Sequence, residues 1–231
     1  MTITPDTIIY WQWGPIKITA TLVFSWLVIA ILTLVSYLGT RTLTSGKELS
    51  RTQNLLEAIV TFLRMQIREV SQQDPDPYLP FVGTLFLYIA LANMLTLVPG
   101  YQAPTGSLST TAALALCVFI AVPVFGIAKR GLRAYLGQYL KPNILMLPFT
   151  VIGELSRTLS LAVRLFGNMM SGSVIVAILL AIAPLFIPAI MQAFGLLIGI
   201  IQAYIFAILA IVFIASGTGQ QRAGPADGAR R

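Results

Sequence analysis

An all-α integral membrane protein with about five hydrophobic spans is the architecture to expect of this chain, on three grounds. Of its 231 residues, 57% are hydrophobic and only 10% charged, with a mean hydropathy of +0.84, whereas soluble domains carry about 25% charged residues. Several uncharged stretches reach the ~20 residues that a helix needs to cross a bilayer. The lysines and arginines gather in alternate connections between those stretches, as the positive-inside rule requires of a multi-pass protein.

The first span is 18–40, 23 residues without a charge. Trp11 and Trp13 precede it, as interfacial aromatics often do. Residues 41–77 hold ten formal charges. Within them Leu55, Ile59, Phe62, Leu63, Ile67 and Val70 recur at helical spacing, so an amphipathic helix is expected at the membrane surface or leading into the next span. The stretch "DPDPYLP" at 74–80 ends it. Residues 78–128 carry no charge and are divided by "PGYQAPTG" at 99–106, which gives two spans, roughly 80–98 and 108–128. A basic loop, 129–142, holds Lys129, Arg130, Arg133 and Lys141. A long hairpin follows over 143–216, turning at "APLFIP" (183–188). The Gly-rich polar tail, 217–231, is expected to be disordered. Together these pieces make one membrane domain. Lys17 is the only basic residue ahead of the first span, and the loops at 99–107 and 182–188 have none. The N-terminal segment, 1–17, is therefore placed outside and the C-terminus in the cytoplasm.

Other function classes fit poorly. The net charge is +7, but the basic residues are spread between apolar spans, so no nucleic-acid partner is expected. Cys117 is the only cysteine, which rules out an internal disulfide and suggests a packing role. There is no histidine, hence no near-neutral proton relay of that type. No basic stretch precedes an apolar core at the N-terminus, so no cleavable signal peptide is expected. No P-loop pattern is present, and no cofactor or metal is implied. The chain alone should catalyse nothing.

The chemistry gathers in the fourth span. Glu154, Arg157 and Arg164 lie within it, and a charge at mid-bilayer costs roughly 2.5–3.5 kcal/mol on insertion scales. Arg157 and Arg164 are seven residues apart, about two helical turns, and so share a face. Ser160, Asn168 and Ser171 fall near it. Glu154 stands three residues before Arg157, within reach of an ion pair. Arg164 has no carboxylate in its own helix, and the remaining acids lie outside the spans. Its partner must be water, a backbone carbonyl or a carboxylate from another subunit. Bland roles remain open beside this one. Arg164 could bond to helix carbonyls, and Arg157 could snorkel. Asn168, Ser171 and Gln202 could be interhelical glue.

The stretch "SLAVRLFGNMMSG" (160–172) resembles the signature of subunit a of F-type rotary ATP synthases. "IQAYIFAILAIVF" (201–213) resembles the final helix of that subunit, with Gln202 at its Gln. "STTAALAL" (109–116) and the Lys-Arg-Gly-Leu at 129–132 resemble bacterial and chloroplast versions. The likeness covers about 78–216.

The resemblance implies a static ion-channel subunit of a multi-pass bacterial inner-membrane complex. Two long tilted helices would lie against a ring of c subunits, with b-type peripheral stalk subunits and the remaining synthase subunits as further partners. Arg164 becomes the essential cation facing the ring carboxylates. Asn168, Gln202, Ser171, Ser173, Glu154 and Arg157 become ion-translocation candidates. Three departures accompany it. Ser173 stands where many relatives carry a carboxylate nine residues after the Arg. Gly195 stands where bacterial forms often have a His, and Ser107 or a neighbour replaces an outer-loop acid. Nine residues place Ser173 half a turn from the face of Arg164, and the resemblance then implies a place in the outer half-channel. Protons are favoured as the coupling ion; sodium, which neutral oxygens also suit, stays open. The competing classes are a stand-alone secondary transporter and a membrane scaffold without transport.

Overall fold

The structure is a computed structural model that describes residues 6, 9–13, 16–41, 51–98, 100–133, 135, 147–182 and 187–218. It holds five helices long and apolar enough to cross a membrane. They are α1 (Ala20–Arg41), α3 (Leu79–Met94), α4 (Leu108–Arg130), α5 (Leu147–Ile182) and α6 (Ile187–Thr218). The amphipathic segment is α2 (Arg51–Ser71). Most of the expected tail, the turn at 183–186 and Lys141 of the basic loop lie outside the described residues. The N-terminal segment contains an element the spacing did not announce. Strands β1 (Ile9–Trp13) and β2 (Ile16–Thr19) pair antiparallel just ahead of α1.

The helix ends follow from local chemistry. A proline at the start of α3 needs no amide partner there. The Ser107 hydroxyl caps α4 by accepting the amide of Ser109 at 3.2 Å. At the other end Gly131 takes φ +82°, and its amide bonds back to Ile127 at 2.8 Å. Pro123 sits inside α4, as membrane helices tolerate when neighbours compensate.

Helix α6 is the centre of the bundle. Ala203, Phe206, Ala207, Ala210, Ile211 and Ile214 are all buried, an i, i+3, i+4 stripe against α3, α4 and α5. Two glycine contacts let helices approach closely. A Cβ on Gly217 would lie 2.6 Å from Val122 of α4, and one on Gly199 would lie 2.9 Å from Asn93 of α3. The same Asn93, 1% exposed, donates to the Gly199 carbonyl at 2.8 Å and accepts from Thr105 at 3.0 Å. Both contacts are of the small-residue and polar kinds that hold helices together in lipid.

At the opposite end of the bundle the Gln73 amide ties four elements. It donates to Thr218 at the end of α6 and accepts from Tyr78 beside α3 and from Lys129 of α4. The lone ion pair between described residues, Arg64–Asp76 at 3.0 Å, is exposed at this end and contributes little.

Helix α2 buries Leu63 and Ile67 and leaves Phe62 largely exposed. It packs on α3 and α6, with Tyr204 of α6 donating to Gln66 at 2.6 Å. Cys117 is exposed, contrary to the packing role its apolar setting suggests. Each helix in a bundle this thin keeps an outward apolar face, and Cys117 lies on that of α4.

Candidate functional site

Helix α5 has 36 residues and α6 has 32. At 1.5 Å per residue they extend about 54 and 48 Å, well beyond the ~30 Å hydrocarbon core of a bilayer. They cannot stand upright in it and must run tilted or project beyond it. They pack against each other as a hairpin.

The two faces of α5 differ sharply. Leu161, Ala162 and Leu165 turn into the core. Arg157, Ser160, Arg164, Asn168 and Ser171 are exposed on the outer side, with Leu155, Leu159 and Val163 exposed around them. The seven-residue spacing thus puts both arginines on one face. In the chain by itself Arg164 is not enclosed by its own bundle, and it makes no hydrogen bond or ion pair among the described residues. Glu154 has interactions of its own but forms no ion pair with Arg157. That corrects the expectation from spacing. The i, i+3 separation permits such a pair, but Glu154 makes its interactions elsewhere. Glu154 and Arg157 instead border a small pocket of about 20 Å³.

Two larger cavities lie along α5, the first of them at Arg164. The first, about 310 Å³, is lined by Ser156, Arg157, Ser160 and Arg164 of α5 and by Leu209 and Phe213 of α6. The second, about 450 Å³, lies farther along the hairpin toward its turn. Asn168, Gly172 and Ser173 line it from α5, Gln192 and Gly195 from α6, and Asn93, Thr96 and Tyr101 from α3 and the segment after it. The two have no lining residue in common. Between them Asn168 Nδ2 donates to Gln202 Oε1 at 2.7 Å. On α5 this bond falls one turn past Arg164, and on α6 it falls between Gly195 and Leu209.

Ser173, half a turn from Arg164, lines the second cavity, where its hydroxyl donates to the Met170 carbonyl at 2.8 Å. Ser171 stays on the outer face and donates to the Asn168 carbonyl. Gly195 borders open space, with nothing within 4 Å of an added Cβ. Gln202 is 2% exposed, and its Nε2 has no hydrogen-bond partner among the described residues. An orphaned buried donor of this kind is costly.

Sequence reasoning missed Asn93, Thr96, Tyr101 and Gln192. Gln192 Nε2 donates to the Thr96 carbonyl at 2.8 Å, so these groups converge only when α3 meets α6. Burial, with the neighbouring Tyr88, pushes the Tyr101 phenol well above its usual range, so it stays protonated. The only advance signal was polar residues beside otherwise apolar spans.

The family model described as ATP synthase A chain matches residues 22–215. The chain belongs to that family. It is 61% identical over 218 residues to ATP synthase subunit a 2 of Acaryochloris marina, covering 94% of this chain and 93% of that one. It is 61% identical over 222 residues to ATP synthase subunit a 1 of Crocosphaera subtropica, covering 96% of each. With ATP synthase subunit a of Albidiferax ferrireducens the identity is 55% over 228 residues, covering 99% of each. Membership of the ATP synthase A chain family makes this a membrane-embedded, non-catalytic subunit. The cavities and the Arg164 face therefore lie in the part that the family shares, 22–215.

Proposed function

We propose that this chain acts as a single membrane unit that provides two half-channels to the ring carboxylates of a rotary ATP synthase. The carrying observation is the division of the α5–α6 hairpin into two separate cavities at the Arg164 and Asn168–Gln202 level. Arg164 stands exposed there and cannot shed its proton. A carboxylate brought within about 4 Å gains ~4 kcal/mol at an effective dielectric near 20, worth about three pKa units. Its ion is released on approach, and the fixed positive charge bars direct passage between the cavities. Asn168 and Gln202 hold the division, while Ser171 and Ser173 flank it on two faces. Arg157 borders the first cavity, with Glu154 nearby.

The second cavity opens toward the outside and the first toward the cytoplasm. The basic residues Lys129, Arg130 and Arg133 at one end of the bundle support that orientation, with a bacterial plasma membrane as the setting. A c ring, b-type stalk subunits and the rest of the synthase complete the assembly. The exposed apolar face around Arg164 has the character of a surface that another helix covers.

Protons are the favoured ion. The neutral oxygens of the second cavity also suit sodium, and protection of the ring carboxylate from covalent modification by sodium would mark that reading instead. Arg164→Ala is expected to abolish ATP-driven pumping and ion-driven synthesis in a complex that still assembles. Retention of coupled synthesis by the assembled variant would refute the proposal.

A further inference from the structure

Asp6 occupies a place that the two-cavity scheme leaves unused. It is the one described acid at the end where α1, α4 and α6 begin. Glu57, Glu69, Asp74 and Asp76 belong to α2 or the turn after it, and Glu154 to the opening turns of α5. Both of its oxygens are engaged. Oδ1 accepts from the Thr21 hydroxyl at 2.6 Å, and Oδ2 accepts from the Ser107 hydroxyl at 2.5 Å. Thr21 and Ser107 are buried, at 4% and 0% exposure, whereas Asp6 is only partly covered.

Thr21 lies in the first turn of α1 and Ser107 is the cap of α4. Two helix N-termini, each with its partial positive charge, thus meet the carboxylate. Ser107 is adjacent in sequence to Gly106, which lines the second cavity, and Thr105 bonds to Asn93 of the same lining. The Ser109 hydroxyl, 2.6 Å from that of Ser107, continues the polar chain. Among the described residues no other ionisable side chain is bonded to Asp6.

We propose that Asp6 is a proton-collecting residue at the mouth of the second cavity. The inference rests on the reading of that cavity as a half-channel. Its named polar lining of Asn93, Thr96, Tyr101, Asn168, Ser173 and Gln192 is neutral. Neutral hydroxyls and amides pass a proton by exchange but store none. A carboxylate accepts one: an O–H bond forms at Asp6 as the hydronium O–H bond breaks, leaving water. The reverse step delivers the proton to cavity water and regenerates the carboxylate. The partial exposure of Asp6 gives water access to it, while Ser107 holds it beside Gly106 of the lining. A tether that merely pins the N-terminal segment would need the hydrogen bonds but not the charge.

The test uses the complete synthase in proteoliposomes, comparing the wild type with Asp6→Asn, Asp6→Glu, Thr21→Val and Arg164→Ala. Asparagine can replace both hydrogen bonds, since one hydroxyl goes on donating to its oxygen while the other turns to accept from its NH2. Asp6→Asn is expected to assemble and to lose about tenfold in proton flux, short of the hundredfold or more of a fully committed acid–base group. Asp6→Glu should recover most of that loss. Thr21→Val keeps the carboxylate but frees one of its oxygens, and should lose clearly less flux than Asp6→Asn. Wild-type flux in assembled Asp6→Asn, or an equal loss in assembled Thr21→Val, would overturn the role of Asp6 alone, provided Arg164→Ala is uncoupled. Coupled pumping by Arg164→Ala would instead bring down the half-channel reading and this inference with it.

Discussion

Arg164 and Gln202 show how one residue can matter more than its surroundings. The guanidinium keeps its charge at any accessible pH, and the chain offers it no carboxylate among the described residues. Gln202 spends its carbonyl oxygen on Asn168 and leaves its amide nitrogen without a described partner. Gln202→Leu conserves volume but strands the Asn168 amide. It is expected to reduce ATP-driven proton pumping by about tenfold, the equivalent of a lost hydrogen bond to a buried group, in a complex of normal composition. Unchanged pumping rates in vesicles would show that the bond does not separate the cavities.

Among the elements, α6 does the most. Its stripe from Ala203 to Ile214 anchors three neighbours, and Gly199 lets α3 approach closely enough for Asn93 to reach its carbonyl. Gly199→Ala would place a methyl 2.9 Å from the Asn93 Cβ, next to backbone rather than a flexible tip. Overpacking of this kind costs about 1–3 kcal/mol. The purified complex should unfold at a lower temperature and pump less, because the same shift displaces Asn93 and Thr96 from the second cavity. An unaltered melting profile would mean that the helices part without strain. Helix α5 behaves differently, since little of it is buried within the chain. Its apolar flanks and polar stripe stay exposed in the chain by itself.

For the molecule as a whole, the two cavities lead to opposite predictions for the two sides of the membrane. In a Cys117→Ala background, chosen because Cys117 is exposed, Ser173→Cys should react with an impermeant thiol reagent from the outside. Ser160→Cys should react from the cytoplasm. The difference is expected to exceed about tenfold in rate, since thiolate chemistry needs water. Labelling of both from one side would reverse or dissolve the assignment.

Most of the architecture was legible in sequence. Charge-free runs long enough to span a bilayer are dictated by solvation of the backbone, which in lipid admits only helices and closed barrels. So the five spans, the amphipathic α2 and the Arg157–Arg164 face could be read from spacing alone. The family was legible too, in the thirteen residues around Arg164. Tertiary structure decided what depends on which helices meet. The union of Tyr101 with Ser173 in one cavity follows from packing. So does the arrival of Asp6 at Ser107, 101 residues away in sequence. Spacing fixes which way a side chain faces on its own helix, but a cavity needs walls from several helices, and no local pattern records their distance.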